Sequence, residues 1–419
     1  MAAGFLTSVV AARILGPAEF GVAGVAQTIG TIVALIANAG MAMSTIYLMR
    51  RAGFEMGRLI AALAGFATGA ITLAAIVGTA AAVGVSLAGV EGLAGATALA
   101  TGLLAASTVA VEASGSQLLG LGLSREYAVT EGVRAVGALI GTVIILLVVT
   151  TAAGYTVGMA TGLLAAALFA AWRVRRAVPW GRPVYDRRIW GEVLGYGIRG
   201  QVGNVLQYFT LRLDVVLVAA ILGAASAGIY LVATRVSEVV TQVANAAATL
   251  LFPVVAGQGD QRDTAFTERT VRVVATLVIL SALAVGLAAM PLLALIFGDE
   301  YAAALPALQV LLLAAVSLSV GRLLAGDLKG RGHPGLVSAA SALGLVIMVL
   351  GDLVILPLWG IIGAALMSLV AYTATAIGIA LGYRWVAGAS LRALVPRPSD
   401  VELIVRSTMA WSRRSRDAA

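Results

Sequence analysis

The chain reads as an all-α polytopic membrane protein of about 12 transmembrane helices in two pseudo-symmetric six-helix lobes. Three observations predict this class. First, 60% of the residues are hydrophobic and only 11% charged, where a soluble domain carries roughly 25% charged residues. Second, apolar runs of about 20 residues, the length that spans a ~30 Å hydrocarbon core, follow one another with short breaks. Third, lysine and arginine crowd into every second connection between those runs.

The runs lie near 22–48, 59–84, 93–119, 128–150 and 154–172, and resume near 194–222, 227–252, 271–297, 304–328, 336–357 and 360–385. Residues 1–12, ahead of Arg13, add a first segment of about half a span. Its shortness sets the expectation that the natural chain starts further upstream. The expected organisation is therefore an N-terminal lobe over 1–172, a basic connector over 173–193, a C-terminal lobe over 194–386 and a basic tail over 387–419.

Loop charge predicts the topology. One set of connections carries Arg50, Arg51 and Arg58; then Arg125; then six arginines of the connector; then Arg262, Arg269 and Arg272; then Lys329 and Arg331; and finally Arg413, Arg414 and Arg416. The intervening turns, around Glu91, Thr151, Ala224, Asp299 and 357–360, hold none. The positive-inside rule then places both termini in the cytoplasm and the basic excess against anionic lipid. Trp172, Trp180, Trp190 and Trp385 fall near the same ends, as an aromatic belt requires. Arg13, close to Glu19, sits on the other side, where it is either an interface arginine or part of a pathway. His333, in the KGRGHPG loop, is expected to serve the turn.

Several function classes are disfavoured. The net charge of +8 is spent on loops of a membrane protein, so no nucleic-acid partner is expected. With no cysteine and one histidine, neither metal nor cofactor is expected. No GxxxxGK[ST] motif is present for ATP, and no soluble stretch is long enough to fold alone and carry enzyme chemistry. A cleaved signal peptide is not expected.

The two halves repeat. LGPAEFG, with Gly16 and Gly21, has the spacing of LGAASAG, with Gly223 and Gly228, an offset of 223 − 16 = 207. Gly120 and Gly122 match Gly330 and Gly332 at 330 − 120 = 210, and Gly154 matches Gly360 at 360 − 154 = 206. An even number of helices per half makes the repeat parallel, and transporters so built place substrate between their halves.

Charges within apolar runs are costly enough to be functional candidates. Four stand in 211–240: Arg212, Asp214, Arg235 and Glu238. Counting back from Gly223 and forward from Gly228 sets Asp214 near the depth of Arg235, and Arg212 near Glu238, which suggests a ladder of ion pairs across a helical hairpin. Two readings stand: the pairs fix helix packing, or the arginines receive an anionic headgroup while a carboxylate handles a coupling proton or sodium ion. The repeat-mates Phe5, Thr7, Thr28 and Thr31 are uncharged, which favours the second reading, since a site is needed once. Weaker candidates are Arg13, Arg199, Arg322, Asp327 and Asp352, with Asn204, Gln207, Gln242 and Asn245 available to sugar hydroxyls or to helix joining.

ARILGPAEFGVAGVAQTI, DVVLVAAILGAASAGIYLVATRVSEVV, LFPVVAG and FGDEYAAALPALQVLLLAAV together resemble the polysaccharide biosynthesis or O-antigen flippase branch of the multidrug, oligosaccharidyl-lipid and polysaccharide (MOP) exporter superfamily. The resemblance implies two six-helix lobes in the V shape of multidrug and toxic-compound extrusion (MATE) transporters, with alternating access. It implies outward movement of a polyprenyl-pyrophosphate-linked glycan across a bacterial inner membrane. Partners would be that substrate, membrane lipids and polysaccharide polymerases or glycosyltransferases, around a monomer. In the family the cavity tends to be cationic and faced by helices one, two, seven and eight, which carries over to Arg212 and Arg235. The alternative is a MATE-type exporter of cations, driven by protons or sodium, whose cavity should be acidic.

Overall fold

The computed structural model describes residues 2–51, 53–179, 181–257 and 264–400. Trp180, Arg262 and the tail arginines Arg413, Arg414 and Arg416 lie outside the described residues. Among those described, all regular structure is helical. Nine helical stretches are long and apolar enough to cross a membrane.

In order the helices are α1 (Ala2–Asn38), α2 (Met41–Arg50), α3 (Met56–Leu87), α4 (Ala96–Gly120), α5 (Ser124–Leu146), α6 (Ala152–Ala177), α7 (Arg187–Leu222), α8 (Ala224–Gly257), α9 (Ala265–Ile296), α10 (Leu305–Gly330) and α11 (Pro334–Ala387). Two of them are broken. Gly16 in α1 (φ 69°) and Gly360 in α11 (φ 58°) are non-helical and divide each into two helices. Counted with those breaks, and with α2 continuing the second part of α1, the segments number about twelve and fall where the apolar runs predict. Connections that contain or adjoin Arg51, Arg125, Arg182 and Arg331 alternate with the arginine-free turns.

The surface is that of a protein solvated by lipid. Ile76 is 63% exposed and Leu287 87% exposed, values that would mark aggregation sites in water but are ordinary against acyl chains. Without a hydrophobic drive between helices, close approach of small residues does the packing. On α5 and α6, Gly137 and Gly141 face Gly158, Thr161 and Gly162 so closely that a Cβ on the glycines would collide with the opposite backbone or hydroxyl. Aromatic residues sit at the basic ends: Arg176 lies 4.3 Å from the centroid of the Trp172 ring, and Trp190 donates its indole N–H to the Ala62 carbonyl at 3.0 Å.

The chain divides into two compact units. The first comprises 1–232 and 296–301, the second 233–295 and 302–419. In the first, α1 packs against α3 to α7, and the connector is tied down rather than loose. Val184 donates its N–H to Ala61 O at 3.1 Å, and Asp186 pairs with Arg58 at 2.8 Å. Asp186 also caps α7, accepting the N–H groups of Arg188 and Ile189. The Ile189 N–H, then Arg58 and the Arg188 N–H, hold its carboxyl below the usual aspartate value. In the second unit, α10 packs along α11, and Arg272 on α9 holds the segment after α11 through Ala393 O (2.9 Å) and Asp400 (3.4 Å).

The repeat is visible within the first unit. Gly16 and Gly223 both turn the chain with positive φ (69° and 88°) and extended ψ (174° and 166°), a combination that glycine adopts without a Cβ penalty. One helical turn further on the matched segments touch. A Cβ on Gly21 would strike Ala224 O and Gly228 N, while a Cβ on Gly228 would strike Pro17 O and Gly21 N. Since 17 + 207 = 224 and 21 + 207 = 228, each side of this contact is the repeat-mate of the other. It is self-complementary in the manner of an isologous interface.

Candidate functional site

The motif ARILGPAEFG turns out to be structural. Arg13 Nε donates to Ile296 O at 2.7 Å, placing a cation on the last carbonyl of a helix, and Tyr301 Oη donates to Ala12 O at 3.0 Å. Glu19 Oε2 accepts the N–H of Ala152 at 2.6 Å, placing an anion at the start of α6. Both charges complement helix dipoles.

Of the four charges of α7 and α8, Asp214 is buried and Arg212, Arg235 and Glu238 are half-buried. Asp214 is 1% exposed, and its Oδ2 accepts the hydroxyl of the wholly buried Tyr230 at 2.7 Å. Arg235 NH1 lies 3.5 Å from Glu238 Oε2, one turn further along α8. Arg212 is half-buried on α7. Because α8 begins at Ala224 rather than near Gly228, depth must be counted from Gly223 on both sides. Asp214 is then 223 − 214 = 9 residues along, Tyr230 is 230 − 223 = 7, Arg212 is 11 and Arg235 is 12. By count Tyr230 stands near the depth of Asp214, and it is Tyr230 that donates to it. The repeat-mates Thr7, Thr28 and Thr31 return their hydroxyls to Ala3, Gly24 and Gln27 of their own helix.

The weaker candidates separate. Asp327 is fully buried at the basic end of α10, where it accepts Thr267 (2.6 Å) and pairs with Arg331 (2.5 Å), an arrangement that fixes a helix end. Arg322 donates to Asn245 Oδ1, and Asn245 in turn donates to Gln242. Asp352 is buried on α11, Gln207 is half-buried and Arg199 is exposed on α7. His333 Nδ1 lies 3.0 Å from Arg331 O, as a turn residue should.

A cavity of about 400 Å³ lies within the first unit, between α1, α2, α4, α5, α6 and α7. Its polar lining contains Asn38, Glu112, Tyr127, Glu131, Arg134, Gln201 and Asn204; Leu35, Met43, Val111 and Leu163 line it with apolar side chains. The break between α1 and α2 helps to build it. Ala39 (φ 45°) and Gly40 (φ 75°) leave the helical path, and the N–H of Ala39 bonds back to Ile36 O at 3.1 Å. The Leu35 carbonyl that a continuous helix would have used accepts Gln201 Nε2 instead, at 2.8 Å. Such re-satisfaction of a freed carbonyl is what lets a transmembrane helix break. Asn38 Nδ2 donates to Glu112 Oε2 at 2.5 Å, and Arg134 pairs with Glu131 at 2.5 Å. Asn204 Nδ2 approaches Gln201 Oε1 at 3.5 Å.

Of these lining residues only Asn204 was a candidate from the sequence. Glu112, Glu131 and Arg134 satisfy the same rule of charge within an apolar run that singled out Arg212 and Asp214, and they lie in the first half. The uncharged repeat-mates of 211–240 therefore do not make the first half free of intramembrane charge, and the inference from that asymmetry falls.

Broken, glycine-cornered helices, intramembrane charge and a ligand-sized polar cavity define a polytopic transporter fold. The sequence profile of a family described as polysaccharide biosynthesis protein matches residues 10–306. The chain belongs to that family. A comparison with curated protein sequences finds no match. Among solved structures it is similar to the lipid II flippase MurJ in an inward closed conformation, with TM-score 0.74 and 13% identity over 91% of this chain and 85% of the other. It is also similar to an inward-facing multidrug resistance MATE family transporter of the MOP superfamily, with TM-score 0.68 and 13% identity over 92% and 94%. A MOP superfamily transporter from Pyrococcus furiosus Vc1, described by the reverse polarity of its binding pocket, aligns with TM-score 0.57 and 16% identity over 92% and 94%. These likenesses establish the MATE-like all-helical fold.

Proposed function

We propose that the chain is a flippase that moves a polyprenyl-pyrophosphate-linked oligosaccharide across a bacterial inner membrane by alternating access. The observation that carries the reading is a half-open cavity of ligand size, lined by both polar and apolar side chains of transmembrane helices, in a member of the polysaccharide biosynthesis family. A sugar pyrophosphate cannot enter hydrocarbon unaided, because its charge and hydroxyls lose their hydration. Protein groups can replace that hydration while the prenyl tail stays in lipid. On this reading Arg212 and Arg235 receive phosphate oxygens through charge-assisted hydrogen bonds. Asp214 and Glu238 are the groups available to a coupling proton or sodium ion. The alternation of basic and arginine-free turns supports cytoplasmic termini, and the protein works as a two-lobed monomer alongside glycosyltransferases and polymerases.

One observation favours the alternative, a cation exporter: the cavity of the first unit carries Glu112 and Glu131 against the single cation Arg134. Complementation separates the two. In a flippase-null bacterial strain the chain should restore surface polysaccharide and clear the accumulated lipid-linked intermediate, and Arg212→Ala or Arg235→Ala should lower this. Loss of dye or drug resistance with no effect on the glycan would select the exporter.

A further inference from the structure

We propose that the cavity of the first unit is a saccharide subsite, which takes one neutral sugar ring of the substrate. The proposal rests on the flippase reading for its biological substrate, but the chemistry of the cavity argues for it directly.

The cavity, about 400 Å³, lies in the lower part of the range for small-molecule sites. That is far more room than a bare ion needs, and enough for a pyranose with ordered water. Its hydrogen-bonding inventory is rich in acceptors. Asn38 is 2% exposed; its Nδ2 is committed to Glu112, while among the described residues its Oδ1 has no hydrogen-bond partner. A buried carboxamide oxygen left in that state is costly. Glu112 and Glu131 add further acceptors, so the ligand must be a donor.

Charge narrows the class. Glu131 pairs with Arg134, and Glu112 accepts the Asn38 amide. A pyrophosphate would find the one arginine of the lining already paired, so the two ends of the substrate go to different places: phosphate to arginine, sugar to this cavity. Shape argues against a simple cation. A pyranose has a rim of hydroxyls and two faces of C–H groups, and the cavity lining mixes carboxylates and carboxamides with the apolar side chains of Leu35, Met43, Val111 and Leu163. A monovalent ion would have no use for those apolar side chains. The ring of Tyr127 is seated against Gly115, where a Cβ would lie 3.3 Å from it.

The test exploits the absence of cysteine from the chain. Met43 lines the cavity and is exposed, so Met43→Cys offers a thiol at its mouth for a water-soluble methanethiosulfonate reagent. In the full chain reconstituted in nanodiscs, a panel of neutral methyl glycosides should slow labelling. Sodium chloride and sodium pyrophosphate should not. Glu112→Gln in the Met43→Cys background should raise the glycoside concentration needed about tenfold, the effect of losing a hydrogen bond to a charged group. Asn204→Leu, which intrudes on the cavity without removing a charge, should weaken protection as well. Arg212→Ala should leave it unchanged.

If no glycoside protects, or if protection survives both Glu112→Gln and Asn204→Leu, the subsite is overturned. If sodium protects and glycosides do not, the cavity is an ion site and the proposal is equally overturned. Failure of the flippase reading looks different: glycosides would protect Met43→Cys while complementation fails.

Discussion

Alanine at Gly21 or Gly228 should destabilise the fold, and by similar amounts. In each case the added methyl meets backbone of the repeat-mate, Ala224 O and Gly228 N in one direction and Pro17 O and Gly21 N in the other. A clash with a side chain can be relieved by rotation, but backbone in a helix cannot turn aside. The segments must separate, and overpacking of this kind costs about 1–3 kcal/mol, here toward the upper end. Replacing glycine by alanine inside a helix returns up to about 1 kcal/mol, which leaves a net loss of about 2 kcal/mol. Gly69→Ala is the control. It stands on α3 with nothing within 4 Å of the added methyl, so it should be neutral or slightly stabilising. The double variant should cost less than the sum of the singles, because the first methyl already opens the contact that the second needs. The assay is the midpoint of thermal loss of monodisperse protein in detergent. A Gly21→Ala protein as stable as Gly69→Ala, or a strictly additive double variant, would refute the reciprocal packing.

Three further outcomes are expected. Tyr230→Phe removes the 2.7 Å donor to the buried Asp214 and should lower stability by about 1.5–3 kcal/mol; Thr7→Val, at the position matching Asp214, should cost less than about 1 kcal/mol because its hydroxyl serves only its own helix. Glu19→Gln weakens the anion at the start of α6 and should cost about 0.5–1 kcal/mol, with the same assay as the check. Asp186 has a folded-state pKa below its unfolded value. Its contribution is therefore fully present above the usual aspartate value of about 3.9 and is lost as pH falls through the folded value. The melting difference between wild type and Asp186→Asn should be flat from about pH 5 to pH 8 and shrink below about pH 4, and a difference that varies across neutral pH would contradict this assignment.

Much of the fold was legible because a bilayer leaves few choices. Spans need about 20 apolar residues and every backbone group must be paired internally, so run length and loop charge locate the helices. Glycine spacing revealed the repeat, because Gly16 and Gly223 are required by the same backbone turn. The site was less legible. Asp214 could be picked out as buried charge, but its partner Tyr230 could not, since an apolar-looking tyrosine gives no pattern until the start of α8 is known. For Arg13, close to Glu19, the sequence left an interface and a pathway reading open, and it gave no sign that both residues meet helix ends far away in sequence. Glu112, Glu131 and Arg134 carried the same signal as Arg212. They are spread over α4 and α5 rather than gathered in one stretch, and only the packing of six helices brings them around one cavity.

The central claim is tested most directly with purified protein in liposomes that carry a polyprenyl-pyrophosphate-linked oligosaccharide in a single leaflet, read by the accessibility of the glycan to an added lectin or glycosidase. The glycan should appear on the opposite face only when the chain is present, and more slowly with Arg212→Ala, Arg235→Ala or Glu112→Gln. No movement of the glycan by a folded protein that exchanges a cationic dye for protons or sodium would contradict it.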